Sequence, residues 1–233
     1  MFRILKNNLL TGLFFIAMVF AQNTFASDST CYGTPAKGKL ANAVGLPLAG
    51  KNFSSYSSLG NQLGRTYVHS VVRDIVAKAY SQLETSASDK FFIYGETGYK
   101  QGGAFKPHRS HQSGTSVDFM VPVLNEHGKS VPLPGNALNQ FGYQIEFDQH
   151  GKFQNLTIDF EAVAEHLYQL NLAAVQAGKS LSQVIFDKQY LPMLFATKRG
   201  AYLKSKLQFM QKAPWIRHDE HYHVDFKIGC EPL

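Results

Sequence analysis

Nine histidines occur among the 233 residues, and five of them fall in two short stretches separated by more than a hundred positions. The first stretch is His108-Arg109-Ser110-His111-Gln112-Ser113-Gly114-Thr115-Ser116-Val117-Asp118, and the second is His218-Asp219-Glu220-His221-Tyr222-His223-Val224-Asp225. Side chains alternate across a strand. If the second stretch is extended, His221, His223 and Asp225 share one face, and Tyr222, Val224 and Phe226 share the other. The same alternation from Ser116 to Val121 sets Asp118 apart from Val117, Phe119 and Val121. Were the two strands neighbours with their apolar faces on a core, a carboxylate and an imidazole would converge. His111, delivered from the loop across Gly114, completes a set of three.

Two imidazoles and one carboxylate leave a fourth position open for water, as catalytic zinc requires. A structural zinc closes its shell, usually with thiolates, and no Cys lies near either stretch. A metal held in this way brings the pKa of its water to about 7 and polarises a carbonyl. Nitrogen and oxygen donors also accept other divalent ions, and paired His-rich loops could equally form a pH-sensing surface. His69, His127, His150 and His166 lie outside both stretches and read as structural, and Asp225 as a solvated or supporting residue.

The elements that must position these residues follow from apolar periodicity. Val68, Val72, Ile75, Ala79 and Leu83 recur at helical spacing and predict a helix over roughly 66–84. Phe91 to Tyr94 reads as a buried strand closed by Gly95, Lys100 to Gly114 as a loop, Ser116 to Val123 as a second strand and Tyr143 to Phe147 as a third. A helix over 159–177 has Asp159 as its N-cap, an apolar face through Phe160, Val163, Leu167, Leu170 and Ala174, and Gly178 as its stop. Val184 to Phe186 reads as strand, 189–211 as helical with a break near Gly200, and His221 to Phe226 as the last strand. Residues 32–64, rich in Gly, Ser, Asn and Pro, read as a surface wrap. Helices and strands intermix without a βαβ rhythm. The expected fold is therefore α+β, with a central antiparallel sheet carrying the metal site and helices flanking it.

Composition is that of a globular protein, 44% hydrophobic and 17% charged. Arg3 and Lys6 precede an apolar run from Leu9 to Phe20, and Thr24-Phe25-Ala26 places small residues at alternate positions. This is the layout of a cleavable export signal over 1–26, cut after Ala26, ahead of one domain over 27–233. The apolar run is shorter than the roughly 20 residues of a membrane span, and no later segment suits one, so no stable membrane insertion is expected. Without Arg3 and Lys6 the formal charge falls from +6 to +4, mildly favouring an acidic partner. No basic stripe or aromatic stacking pattern suggests nucleic acid. Cys31 and Cys230 bracket the domain and, in an oxidising compartment, read as a disulfide joining its ends.

Several of these segments resemble the penicillin-insensitive murein endopeptidases, zinc enzymes related to the D-alanyl-D-alanine metallopeptidases and, in fold, to the hedgehog signalling domain. The resemblance rests on Gly95-Glu96-Thr97-Gly98, Gly102-Gly103-Ala104-Phe105, His108 to Gly114 with Asp118, Trp215-Ile216-Arg217-His218, and His221-Tyr222-His223-Val224. Towards the N-terminus it takes in Cys31-Tyr32-Gly33, Leu40, Leu46-Pro47-Leu48 and Gly64-Arg65, and so it runs from about residue 31 to the C-terminus. It implies one zinc ion per chain, held by His111, Asp118 and His223. His218 and His221 would be the active-site imidazoles, one a base and one a donor, in an order the pattern does not assign. His108 and Glu96 would be cleft or supporting residues. The implied activity is hydrolysis of the D-Ala–meso-diaminopimelate cross-link of peptidoglycan in the periplasm. A D-Ala-peptide carboxypeptidase or dipeptidase, or a non-catalytic zinc or cell-wall binding module, are the alternatives. The chain departs from the family pattern in its fewer cysteines, in the Lys100 to Pro107 segment, and in Asp219 and Glu220 beside the histidines. If His221 faces the cleft, strand alternation predicts that Glu220 faces away.

Overall fold

The structure is a computed structural model that describes residues 28–212, 214 and 216–233. The export-signal segment and Trp215 lie outside the described residues. The N-terminal part contains strands β1 (Thr30–Thr34), β2 (Lys37–Ala41), β3 (Val44–Gly45) and β4 (Phe53–Ser55), then helix α1 (Ser58–Gln62), strand β5 (Tyr67–Val68) and helix α2 (Ser70–Ser86). The middle supplies strands β6 (Phe92–Tyr94), β7 (Ser116–Met120), β8 (Val123–Leu124), β9 (Ser130–Val131), β10 (Lys152–Phe153) and β11 (Leu156–Ile158). Helix α3 (Phe160–Gln176), strand β12 (Ser180–Ile185), helices α4 (Leu191–Phe195) and α5 (Gly200–Lys206), and strand β13 (His221–Lys227) complete it.

The expected α+β class holds. Five strands form the central sheet in the order β12-β13-β7-β6-β4, and a four-stranded sheet β10-β11-β8-β9 stands beside it. The central sheet is mixed, because β4 pairs with β6 in parallel while the other pairs are antiparallel. That strand comes from the stretch expected to wrap the surface. Its anchor is Phe53, whose ring stacks on Tyr80 of α2 with centroids 4.2 Å apart, and one buried aromatic in a polar run is a weak sequence signal.

One face of the sheet is apolar, and α2 and α3 cover it. Val117, Phe119, Tyr222 and Val224 are all fully buried there. His166 of α3 is packed among Tyr80, Phe92, Phe119 and Tyr222, and burial pushes its pKa down to about 3. The neutral imidazole pairs through Nδ1 with the Tyr222 hydroxyl, so His166 has the structural role expected of it. His69 does too, since its Nδ1 caps α2 by accepting from the Val71 amide at 3.1 Å. That cap starts α2 at Ser70, four residues later than its periodicity predicts. Asp159 caps α3 by accepting from the Ala162 amide at 3.0 Å, as expected.

Two predicted strands need correction. The run from Ser116 to Val123 breaks after Met120, because Pro122 has no amide to give a ladder, and its tail joins the second sheet as β8. Tyr143 to Phe147 is irregular chain. Its alternating burial is real, with Tyr143, Ile145 and Phe147 inward, but no strand pairs with it. Its amides bond elsewhere instead: Gln144 locally to the Asn139 carbonyl, Ile145 locally to the Gly142 carbonyl, and Phe147 to the distant Asp219 carboxylate. Burial alternates because the segment lies across the core, and alternation alone does not specify a ladder.

Cys31 and Cys230 form the expected disulfide across a separation of 199 residues. Cys31 lies in β1, and the Glu231 amide donates to its carbonyl at 2.9 Å, so the bridge ties the first hairpin to the C-terminus. Replacing both cysteines by Ser is expected to cost about 2–5 kcal/mol of folding stability, read as a lower midpoint in chemical denaturation.

Candidate active site

The two histidine stretches meet on the polar face of the sheet. In the antiparallel pairing of β7 with β13, His223 lies directly opposite Asp118, and His221 opposite Met120. Asp118 is completely buried. Its Oδ1 lies 2.9 Å from His223 Nδ1 and 3.3 Å from His111 Nε2. Its Oδ2 accepts from the Tyr143 hydroxyl at 3.1 Å and lies 3.6 Å from His108 Nδ1 and 3.9 Å from His221 Nε2.

Glycines make this convergence possible. A Cβ at Gly95 would collide with the Tyr143 hydroxyl and press on the Asp118 side chain. Gly98, at φ +147°, passes so close to the His111 carbonyl that a Cβ there would stand 2.7 Å from its oxygen. His111 itself has φ 67°, in the left-handed region, a conformation that costs on the order of 1 kcal/mol or more in a non-glycine residue. Its ring is tethered by Nδ1–H donating to the Thr97 carbonyl at 3.1 Å.

That tether decides the chemistry of the other nitrogen. With the proton on Nδ1, His111 Nε2 carries a lone pair, and it is a buried atom with no hydrogen-bond partner. It faces a carboxylate oxygen at 3.3 Å. Two acceptors this close and out of water repel each other, and a proton or a metal ion between them would relieve that repulsion. Donor atoms of His108, His111 and Asp118 lie within 4.8 Å of one another and form a group that could hold a metal ion.

His223 meets the same carboxylate from the strand side. Burial alone would lower its pKa, but Asp225 and Asp118 on either side push it up to about 10. Its Nε2 bonds Asp225 at 2.9 Å, and Asp225 accepts in turn from the Ser116 hydroxyl at 2.5 Å. Asp225 therefore supports His223 and is not a solvated residue. Burial opposes ionisation of Asp118 as well, yet the imidazoles around it hold its carboxyl well below the usual range. A proton on His223 Nδ1 thus occupies a place that a metal ion can take over.

His218 and His221 stand beside this group with rings 4.5 Å apart. Burial pushes His218 down to about 3 and His221 to about 4, so both rest as neutral imidazoles. His218 Nδ1 donates to the Ile216 carbonyl at 2.9 Å, which leaves the lone pair on Nε2. Glu220 does not face away as strand alternation predicts. It lines the same cleft as His221 and meets His221 Nδ1 at 2.6 Å. The strand begins only at His221, so the alternation rule does not reach back to Glu220. Burial raises the pKa of Glu220 to about 8 and that of Asp219 to about 7.

His108 and Glu96 occupy the cleft wall. Glu96 accepts from His108 Nε2 at 2.7 Å, from the Tyr56 hydroxyl at 2.9 Å, and from Arg65 through both carboxylate oxygens. The cleft itself measures about 860 Å³. Leu59 and Leu63 line it, as do Ile185, Met210 and Ile216, while His218, His221 and His223 belong to its polar lining.

The sequence matches a known family. The family model of penicillin-insensitive murein endopeptidases matches residues 31–232. The chain belongs to that family. A search among curated proteins finds no match. Membership makes this chain a murein endopeptidase by family, with peptidoglycan as the substrate its name gives, and no helix of the described residues is long and apolar enough to cross a membrane. Tyr143 is a further residue of this cleft that sequence reasoning missed. It sits in an irregular segment with no motif around it, and only the fold brings its hydroxyl to Asp118.

Glu96 gives the site a distinctive acid response. Burial works against its ionisation, but hydrogen bonds from Arg65 and His108 outweigh this and bring its pKa down to about 2. A carboxylate with a folded value below its unfolded 4.5 stabilises the fold fully above pH 4.5, and that contribution is lost as pH falls toward 2. The difference corresponds to on the order of 3 kcal/mol. Glu96→Gln is expected to lower stability at neutral pH and to flatten the stability profile between pH 4.5 and 2, read by urea denaturation at successive pH values.

Proposed function

We propose that the protein is a periplasmic zinc endopeptidase that hydrolyses the D-Ala–meso-diaminopimelate cross-link of peptidoglycan, with His111, Asp118 and His223 as the metal ligands. The observation that carries this reading is the buried, unpartnered His111 Nε2 facing Asp118 on the polar face of the sheet beside the cleft. His223 is favoured over His108 as the third ligand. Asp225 occupies its Nε2 and leaves Nδ1 directed at Asp118 Oδ1, the hydrogen-bonded carboxylate–imidazole arrangement typical of metal-binding histidines. His108 is turned to Glu96 and stands further from Asp118.

Bound between these donors, zinc supplies Lewis acidity toward a scissile carbonyl and toward water. The protein side chains do the rest. His218, with its proton fixed on Nδ1 by the Ile216 carbonyl, offers Nε2 to accept the proton from the attacking water. His221 directs Nε2 toward Asp118, where an N–H stabilises the developing oxyanion or protonates the departing amine. Tyr143 remains a phenol, because burial and the Asp118 charge raise its pKa well above the usual value, and its hydroxyl keeps Asp118 Oδ2 in place. The murein substrate of the family and the Cys31–Cys230 bridge both support an exported location.

Digestion of purified peptidoglycan should convert cross-linked dimers to monomers, seen by mass spectrometry, and a chelator should stop it. Release of terminal D-Ala from uncross-linked peptides, with the dimers left intact, would instead make the enzyme a carboxypeptidase. Metal analysis tests the ligand set separately. One zinc per chain should survive His108→Ala and be lost in His223→Ala, with circular dichroism confirming that both variants fold; the opposite result would place His108 in the ligand set.

A further inference from the structure

We infer that Glu220 is a positioning residue for His221, fixing the imidazole so that Nε2 and not Nδ1 faces Asp118 and the donor group around it. The inference rests on the reading of His221 as an active-site imidazole. Glu220 Oε1 lies 2.6 Å from His221 Nδ1, and both side chains are nearly inaccessible to solvent. The partners are adjacent in sequence. Within a strand they would point to opposite faces, so the contact depends on the bend immediately before β13. The bend is itself anchored, since the Glu220 carbonyl accepts from the Val121 amide at 3.0 Å.

The surroundings leave the His221 ring few alternatives. Tyr143 meets it at 5.0 Å and 64°, His218 lies 4.5 Å away, and Nε2 is 3.9 Å from Asp118 Oδ2. Glu220 is the hydrogen-bond partner on the Nδ1 side. The N–H that the proposed function requires on Nε2 places the shared proton on the carboxyl, so Nδ1 accepts from Glu220 and Nε2 is the atom offered to the cleft. Without the carboxyl, Nδ1 becomes a buried polar atom with no partner, and the ring gains by turning to find one. The same logic applies to a buried carboxylate orienting a catalytic imidazole in hydrolases of unrelated fold.

The test uses the zinc-loaded, full-length mature protein and its Glu220→Ala and Glu220→Gln variants. In Glu220→Ala, kcat on cross-linked muropeptides should fall roughly 10- to 100-fold, with KM and zinc content unchanged. Glu220→Gln, which keeps a hydrogen-bonding group at the same position, should recover part of that loss. Long-range ¹H–¹⁵N spectra, with His221 assigned by difference against His221→Ala, should show its ring nitrogens shifted in Glu220→Ala. Wild-type kcat in Glu220→Ala, unchanged His221 ring shifts, or a loss of zinc that accounts for the loss of activity would each overturn the inference. If wild-type protein left muropeptides intact, the functional reading would fall, while the ring shifts would still decide the part played by Glu220. If Glu220→Ala does not fold, ring shifts in Glu220→Gln identical to wild type, together with full kcat, would overturn it.

Discussion

A single carboxylate, Asp118, sets the terms for the rest of this structure. It is removed from water in the middle strand of the central sheet, where an uncompensated charge would cost several kcal/mol. Every neighbour compensates for some part of that cost. His111 and His223 lie against one oxygen, and Tyr143 and His108 approach the other. A change in the register of β7 against β13 by one residue would carry His223 away and put an apolar side chain in its place. The pairing of these two strands and the chemistry of the site are therefore one constraint.

The sheet divides the molecule accordingly. Its apolar face packs on α2 and α3 around Tyr222, Phe119 and His166, and supplies the burial that makes strand order and register unambiguous. Its other face carries polar groups that are almost as deeply buried, and each is held by a specific partner: Asp225 by Ser116, Glu96 by Arg65 and Tyr56, Asp219 by the Phe147 amide. Across most of this layer desolvation offsets much of the hydrogen bonding, with the ion-paired Glu96 as the exception. What the layer contributes is position. The disulfide and the packed face hold the fold, and the polar face is left to orient imidazoles.

Those imidazoles fall into two electrostatic groups within a few ångströms. His223 lies between two carboxylates, which push its pKa up, while His218 and His221 lie in surroundings that push theirs down. Separation of neighbouring titratable groups into charged and neutral members is how a protein assigns binding and proton transfer to side chains of one type. Here the separation follows from which residues stand beside each ring. Asp118 and Asp225 flank His223, whereas at His218 and His221 burial, helped by neighbouring imidazoles, outweighs the pull of Asp118.

Much of this was legible in the sequence, and the boundary is physical. The chain by itself determined the alternation that puts His221, His223 and Asp225 on one face and Asp118 opposite its apolar neighbours, the capped helix beginning at Asp159, and the two cysteines at the ends of the domain. These are local regularities, set by the two-residue period of a strand, the 3.6-residue period of a helix and the chemistry of caps. Tertiary structure alone decided that Tyr143 reaches Asp118, that Phe53 brings a parallel strand into the sheet, that 143–147 is not a strand, and that Glu220 turns toward His221. Each of these depends on a partner far away in sequence or on a bend at the edge of an element. Periodicity specifies which residues share a face, but a contact between elements exists only once packing has chosen which faces meet.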